Sequence, residues 1–341
     1  MTKIGGEFEI DPIGLKGYVG YDLKHPYLYS SGRSALQVIL LNLFCSKQHV
    51  IHLPYYICQS VIYTCLNAGY YIKFYELDSN LHFPIDYLDQ IEKDEVLLTI
   101  NYFGFINDID LLSQIKLERP DITIISDQVQ SYWTFKKTFA DYSFTSLRKH
   151  FAVNEGALIH SRNEFIDFKA DIPESTFYSN KIIGSILKFL DYEDEIYLKF
   201  FYEGEEKLNS ELYPSKATSL SHFLYENLDI ENIREKRKSN YKIVYELGCL
   251  LNLEFLFPFN DEVIPLNVPI LLPNRDKIQR RLKEKGIYLP IHWPINSYTY
   301  QSKLSKKLAN QELSLIIDQR YSSQEIIYQI ENLKLIIDEG L

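Results

Sequence analysis

The chain has 341 residues, of which 46% are hydrophobic, and this is enough for one large and one smaller core rather than a single domain. Its 46 acidic and 36 basic side chains give a formal net charge of -10, and neither sign forms a long block, so we expect no nucleic-acid or membrane partner. The longest apolar runs are shorter than a membrane span, and the N-terminal residues lack the apolar stretch of a signal peptide, so we expect a cytoplasmic protein.

From residue 28 to 161, short apolar runs alternate with amphipathic segments, and this rhythm predicts a mainly parallel sheet flanked by helices. Leu36, Ile39, Leu40 and Leu43 have helical spacing after Gly32, so "SSGRSAL" predicts a glycine turn that opens a helix. Such a turn brings backbone N–H groups and the positive end of a helix dipole together. The predicted strands are "HVIHLP", "YYIKFYEL", "EVLLTINYF", "ITIISD" and "GALIHS".

The segment from 162 to about 240 is charged and helical in pattern, with "SILKFLDYEDEIYLKFF" amphipathic and "YPSKATSLSH" an irregular link. The last hundred residues predict a strand in "EVIPLNVPILLP", a helix between Asn274 as N-cap and Gly286, and a strand in "IYLPIHW". A final helix follows Ser322 and Glu325, which have capping-box spacing. We therefore predict a large α/β domain over 1–235 and a small α+β domain over 236–341.

Cysteine and histidine spacing predicts no metal site, because the chain has no CxxC, HxH or HExxH pattern. We expect buried free thiols in a reducing compartment, since the cysteines lie mostly in apolar stretches. They are Cys45, Cys58, Cys65 and Cys249.

Functional groups of an open α/β sheet collect at the carboxyl ends of its strands, and four polar places lie there. They are the Gly32 turn, Asn101 to Gly104, Asp127 to Gln130, and the triplet Arg148-Lys149-His150. Asp127 is either a cap or a buried carboxylate that needs donors or a cation. Lys149, 22 residues downstream, is either a solvated loop residue or a partner in the same crevice.

Taken together, these parts match the protein groups that bind pyridoxal phosphate (PLP). The carboxylate keeps the pyridine nitrogen protonated, the glycine turn holds the phosphate, and a lysine amine forms the imine. Within the triplet only Lys149 can form it, because arginine stays protonated and histidine gives no stable imine.

The sequence resembles the DegT/DnrJ/StrS family of PLP-dependent sugar aminotransferases. The resemblance is carried by "SSGRSAL", "LPYYICQSV", "NYFGF", "SDQVQS" and "SLRKHFAVNEGALI", and in the second half by "RDKIQRRLKEKGIYLPIHWP" and "ELSLIIDQRYSSQEIIYQIENL". It implies the fold-type-I architecture, a mainly parallel sheet sandwiched by helices plus a smaller α+β C-terminal domain. It also implies a homodimer whose active site lies at the subunit interface.

The resemblance implies roles residue by residue. Lys149 would carry the cofactor and move the proton, Asp127 would pair with the pyridinium nitrogen, and Gln130 would lie near the ring oxygen. The phosphate would be held by the backbone N–H groups of Gly32, Arg33 and Ser34 and by the hydroxyl of Ser146, with Ser143 as a rival. Tyr56 is the nearest aromatic that could stack on the cofactor, whereas strict alignment offers Cys58. His292 and Trp293 would contact substrate, or else form a packed pair in the small-domain core.

The chain also departs from the family pattern. Arg33 replaces a small hydroxyl residue, Gly156-Ala157 replaces a Gly-Gly pair, and "YPSKATSLS" stands where the family has Asn-Tyr-Arg-Met. Our first hypothesis is an aminotransferase that moves an amino group from an amino-acid donor, expected to be glutamate, to a keto-sugar, expected to be nucleotide-linked, in surface-polysaccharide or related sugar synthesis. The alternatives are a PLP-dependent sugar dehydratase, whose signature is a histidine in place of the lysine, and a non-catalytic relative that binds the cofactor or a sugar nucleotide. A nicotinamide-dependent dehydrogenase ranks lower because the turn lacks GxGxxG.

Overall fold

The computed structural model of the chain describes residues 3–10, 28–44, 49–106, 108–162 and 173–339. Its strands are β1 (Ile4–Gly5), β2 (Leu28–Tyr29), β3 (Val50–Pro54), β4 (Tyr71–Tyr75), β5 (Val96–Ile100), β6 (Thr123–Asp127), β7 (Tyr142–Ser146), β8 (Ala157–Ser161), β9 (Glu254–Phe255), β10 (Val268–Leu271), β11 (Ile287–Tyr288) and β12 (Glu312–Leu315). Its helices are α1 (Gly32–Leu43), α2 (Gln59–Asn67), α3 (Ile109–Glu118), α4 (Tyr178–Phe189), α5 (Asp194–Ser210), α6 (Ser219–Glu226), α7 (Ile230–Leu250), α8 (Arg275–Glu284), α9 (Lys303–Gln311) and α10 (Ser323–Asp338).

The central sheet has seven strands in the order β2-β8-β7-β6-β5-β3-β4. The pairs from β4 to β7 are parallel, and β8 and β2 add an antiparallel edge. All five predicted strands are present, because apolar runs such as "VLLTI" suit a sheet that is buried on both faces. The carboxyl ends of β5, β6 and β7 therefore meet along one edge of the sheet.

Helix α1 begins at the predicted glycine turn. Ser31 is its N-cap, and the Ser31 hydroxyl accepts a hydrogen bond from the Ser34 N–H at 3.2 Å. The helix packs on α2, β7 and β8, so its positive end points toward the carboxyl edge of the sheet.

The middle segment is helical as predicted, but "SILKFLDYEDEIYLKFF" does not form one continuous helix. Helix α4 ends at Phe189 and α5 begins at Asp194, with Asp191 between them at φ +55°. The two helices pack on each other as a hairpin. The predicted irregular link is also shorter than expected, because α6 already begins at Ser219.

The C-terminal part contains a second, antiparallel sheet, β12-β10-β9, with helices α7, α8 and α10 packed around its core. The capping box of Ser322 and Glu325 opens α10 as predicted. Asn274 precedes α8 but makes no side-chain cap hydrogen bond, and the predicted strand "IYLPIHW" is limited to Ile287–Tyr288.

The predicted domain division between residues 235 and 236 falls inside α7 and stays a prediction. N-terminal strand β1 pairs with β11, so the first described residues belong structurally with the C-terminal part.

The three cysteines among the described residues are free thiols, and of these three only Cys65 is buried. Cys58 is half-buried, Cys249 is exposed, which corrects the expectation for that residue, and Cys45 lies outside the described residues. Within the described ranges, no helix is both long and apolar enough to span a membrane.

Candidate active site

A cavity of about 200 Å³ lies where the N-terminus of α1 faces the carboxyl ends of β5, β6 and β7. Helix α5 closes its other side. Seven of the eleven site residues predicted from the sequence line it, namely Gly32, Arg33, Asp127, Gln130, Ser146, Lys149 and Trp293. The other four, which do not line it, are Ser34, Tyr56, Ser143 and His292.

The first turn of α1 presents backbone donors to the cavity. The N–H groups of Gly32 and Arg33 have no acceptor within the helix, because the first turn always lacks one. A Cβ atom on Gly32 would lie 3.2 Å from Val129 Cγ2 and 3.8 Å from Ser146 Cβ, so a side chain would fill the space that an anion needs. Ser34 contributes no donor here, because its N–H is taken by Ser31.

Asp127 ends β6 and is only 6% exposed. Its Oδ1 accepts a hydrogen bond from the Val129 N–H at 2.9 Å. Burial raises the pKa of the carboxyl to about 7, while the Val129 N–H and the Lys149 charge work in the opposite direction. A cationic N–H donor in the cavity would shift this carboxyl to its ionised form.

Lys149 ends a short 3-10 turn, Leu147–Lys149, that directly follows β7. Within the described part of the chain its amine makes no hydrogen bond and no ion pair, and it remains open to the cavity. Burial, followed by the neighbouring Arg148 charge, lowers the pKa of Lys149. A lysine with a lowered pKa and no partner has the properties of a nucleophile.

The neighbouring Arg148 belongs to a partly buried ion network. Its two terminal nitrogens contact both carboxylate oxygens of Glu205 on α5, at 3.1 and 3.2 Å. The fully buried Lys181 bridges Glu205 at 2.8 Å and Glu7 at 2.7 Å. Arg33 adds a longer contact to Glu205, at 3.7 Å. Burial opposes the charge on Glu205, but Arg148 and Lys181 outweigh it and hold the pKa of Glu205 well below its usual range.

Sequence reasoning missed Glu205, which lies 57 residues from its arginine partner in an ordinary charged helix. Only the three-dimensional arrangement identifies it.

His150 faces away from this cavity. Its Nε2 donates to the Val129 carbonyl at 3.1 Å, and its ring packs among Tyr132, Trp133 and Phe151. Burial lowers the pKa of His150 well below its usual value, so the ring is neutral. Of these two adjacent residues, the structure therefore places Lys149, and not His150, in the cavity, as the sequence predicts.

Two further alternatives are separated by hydrogen bonds. The Ser143 hydroxyl donates to the Phe135 carbonyl at 2.5 Å inside the core, whereas Ser146 lines the cavity at the end of β7. Tyr56 stacks on Tyr102, and its hydroxyl donates to the backbone carbonyl of His292, so the Tyr56 ring does not face the cavity. Cys58 lines the cavity instead.

Gln130 and Trp293 line the remaining sides of the cavity, whereas His292 lies outside it. Gln130 Oε1 accepts the Phe103 N–H at 2.7 Å, which fixes its side chain at the wall. Trp293 lines this cavity and a larger one of about 520 Å³ beyond Arg33. His292 lines a different neighbouring cavity of about 460 Å³, to which Lys149 also belongs.

No protein-family model matches this chain, and no curated protein matches it by sequence. Solved structures do match it over most of its length. A Streptococcus pneumoniae protein that is named as a sugar aminotransferase, solved in its PLP form, matches with a TM-score of 0.69 and 16% identity over 99% of this chain and 94% of that chain. A DegT DnrJ EryC1 StrS aminotransferase from Brucella abortus has a TM-score of 0.62 at 12% identity over 92% and 87%. The Helicobacter pylori aminotransferase PseC, involved in the biosynthesis of pseudoaminic acid, has a TM-score of 0.63 at 14% identity over 92% and 86%. At these identities the likeness shows the fold, and it confirms the predicted fold-type-I architecture.

Proposed function

We propose that this chain is a PLP-dependent aminotransferase that transfers an amino group from an amino-acid donor to a keto-sugar. One observation carries the proposal: Lys149, whose amine has no partner among the described residues, and the buried carboxyl of Asp127 line the same cavity as the N-terminus of α1. The S. pneumoniae neighbour, which has been solved in PLP and PMP forms, supports the cofactor class.

The residues of the cavity fit the cofactor. The Gly32 and Arg33 N–H groups and the Ser146 hydroxyl would hold the phosphate at the positive end of α1. Asp127 would accept the hydrogen bond of the ring nitrogen and stay ionised because of it. When bound, PLP supplies the electron sink for the carbon that gains or loses the amino group. Lys149 Nζ would hold the cofactor and, once released from it, move a proton at that carbon.

The finer parts of the proposal rest on the family resemblance. They are a nucleotide-linked sugar, glutamate as donor, a role in surface-polysaccharide synthesis, a cytoplasmic location, and a homodimer with the active site at its interface. The sugar class is also supported by the H. pylori neighbour, which is involved in the biosynthesis of pseudoaminic acid.

The dehydratase alternative is less well supported, because its signature is a histidine at the lysine position. The cavity contains Lys149 there, and His150 is packed in the core. The non-catalytic alternative is addressed by the same experiment as the proposal.

The experiment is to incubate the purified protein with PLP, reduce it with borohydride and map the modified residue by mass spectrometry. Wild type and the exposed-lysine control Lys199→Ala should both carry the adduct on Lys149, and Lys149→Ala should carry none. Amino donors and a keto-sugar are then added to the unreduced protein. Gain of an amino group supports the proposal, loss of water identifies a dehydratase, and an adduct without any exchange identifies a non-catalytic binder. An adduct on another lysine would refute the assignment of Lys149.

A further inference from the structure

A buried chain of hydrogen bonds orients the ring of His292. Glu312 and Ser314 lie two residues apart on β12 and so share one face of the strand. Both are fully buried. The Ser314 hydroxyl donates to Glu312 Oε1 at 2.6 Å, and Glu312 Oε2 accepts the backbone N–H of His292 at 2.7 Å. Ser314 Oγ also lies 3.2 Å from His292 Nδ1.

These contacts determine which ring nitrogen of His292 carries the hydrogen. A hydroxyl has one hydrogen, and that of Ser314 is already donated to Glu312, so Ser314 Oγ can only accept from the ring. The ring hydrogen therefore lies on Nδ1, and Nε2 carries a lone pair. Nε2 has no partner within the described residues, the side chain keeps 9% of its surface exposed, and the ring is held edge-on to Phe103 at 5.3 Å.

The cavity next to this ring is lined by both His292 and Lys149. Of the two larger cavities beside the cofactor cavity, it is the one that Lys149 lines, so a substrate here would lie next to the lysine. Asn267 and Lys283 also line it, and in the described part of the chain their side-chain nitrogens make no hydrogen bond and no ion pair. A ring acceptor together with amide and ammonium donors suits a polyhydroxylated ligand.

We propose that His292 Nε2 accepts a hydrogen bond from a hydroxyl group of the keto-sugar in this cavity, and that Glu312 and Ser314 are positioning residues that keep Nε2 an acceptor. The proposal rests on the proposed function for the identity of the ligand. It goes further because it names the contact that distinguishes a hydroxylated sugar from an analogue that lacks the hydroxyl. A buried acceptor discriminates strongly, since the analogue leaves it unpaired.

The substitution Glu312→Gln tests the relay by replacing one carboxylate oxygen with an NH₂ group. The remaining oxygen still accepts the His292 N–H, so the NH₂ group donates to Ser314 Oγ. The Ser314 hydroxyl then donates to Nδ1, the ring hydrogen moves to Nε2, and the acceptor becomes a donor. Ser314→Ala removes the link altogether and leaves neither ring nitrogen preferred.

The tautomer is measured by nitrogen-15 spectra of histidine-labelled protein without ligand, with the His292 signals assigned by their absence in His292→Gln. We expect the ring hydrogen on Nδ1 in wild type and on Nε2 in Glu312→Gln. In Ser314→Ala we expect a mixture of the two tautomers. A wild-type ring with its hydrogen on Nε2 would overturn the relay. This readout needs no turnover, so it stands even if the proposed function fails, and Ser314→Ala serves if Glu312→Gln does not fold.

Ligand recognition is measured by steady-state kinetics with the keto-sugar. Because a hydroxyl can also accept a hydrogen bond from Nε2–H, the comparison uses a deoxyfluoro analogue, whose fluorine can accept but not donate. In wild type the KM of this analogue should exceed that of the keto-sugar roughly tenfold, the effect of losing one well-placed hydrogen bond, and in Glu312→Gln the two KM values should differ less than about threefold. The rate of the half-reaction with the amino donor should change less than about twofold in the variant, because the donor does not use this acceptor. A deoxy analogue of the sugar should bind wild type and variant alike. The same ratio of the two KM values in wild type and in a Glu312→Gln variant with an inverted tautomer would overturn the contact with the sugar.

Discussion

Replacing Asp127 with asparagine tests whether a buried carboxyl opposes folding when the cofactor is absent. Asp127 is only 6% exposed, and burial raises the pKa of its carboxyl from the ordinary value of 3.8 to about 7. The folded chain therefore holds this proton up to about pH 7, whereas the unfolded chain releases it near pH 4. The contribution to stability is complete below the unfolded-state pKa and is lost as the pH rises through the folded-state pKa.

The size of the effect follows from the two pKa values. Each pKa unit corresponds to about 1.4 kcal/mol, so an upper value for the penalty on the apoprotein is about 4 kcal/mol at pH 8. Between pH 5 and pH 8, the free energy of unfolding of the apoprotein should fall by about 2–3 kcal/mol of this total. Asparagine has nearly the same shape, keeps an oxygen for the Val129 N–H and cannot ionise, so its free energy of unfolding should not contain this loss.

The assay is urea unfolding of the apoprotein at pH 5 and pH 8, for wild type and Asp127→Asn. The exposed Asp110→Asn on α3 controls for the change of residue type. The free-energy difference between Asp127→Asn and wild type should move in favour of the variant by about 2–3 kcal/mol over this interval. A difference that stays constant within about 0.5 kcal/mol would refute the reasoning, because the carboxyl would then titrate alike in the folded and unfolded chains.

Four other substitutions give three predictions of different kinds. Glu205→Gln should lower the pKa of Lys149, and Arg148→Gln should raise it. At neutral pH the rate of PLP attachment to Lys149 should therefore rise in Glu205→Gln and fall in Arg148→Gln, by about two- to tenfold each. Rates that change in the same direction in both variants would contradict the electrostatic account. Gly156→Ala should destabilise the protein by about 1–3 kcal/mol in urea unfolding, because Gly156 has φ +127° and a Cβ would lie 2.9 Å from a neighbouring side-chain carbon; an unchanged midpoint would show that the turn relaxes. Ser31→Ala should lower the free energy of unfolding by about 1 kcal/mol through loss of the α1 cap, and it should weaken PLP binding, measured by absorbance titration. A variant that is less stable but binds PLP as tightly as wild type would show that the cap does not support the phosphate site.

The central sheet could be predicted from the sequence because its strands are continuous apolar runs, and such runs in alternation with amphipathic segments fit a parallel sheet. The glycine turn was predictable for a similar reason, since Gly32 is followed at once by residues with helical spacing. Local patterns with one dominant physical cause are the ones that the structure reproduces. The α4–α5 break had a weaker signal, because its charged residues fit the polar face of a continuous helix equally well.

The orientation of neighbouring residues at the site was harder to predict. Lys149 and His150 are adjacent, and a short 3-10 turn directs one to the cavity and the other to the core. The sequence also left Tyr56 and Cys58 as alternatives, because it does not show which of the two side chains faces the cofactor. Tyr56 packs inward on Tyr102, and Cys58 lines the cavity. Residue type identifies what a side chain can do, whereas the direction in which it points depends on backbone geometry that no short pattern specifies.

Long-range pairs carried no sequence signal at all. Glu205 contacts Arg148 across 57 residues, and Glu312 contacts the His292 backbone across 20. Each of these glutamates lies in an ordinary element of secondary structure, and the partner is brought to it only by packing.

The pairing of β1 with β11 sets an order of events during synthesis of the chain. Ile4 pairs with Ile287, which leaves the ribosome 283 residues later. At about 5–20 residues per second this separation corresponds to roughly 15 to 60 seconds. Over that time β1 has an open hydrogen-bonding edge, and the β1–β11 pair can form only after the residues around Ile287 have been synthesised.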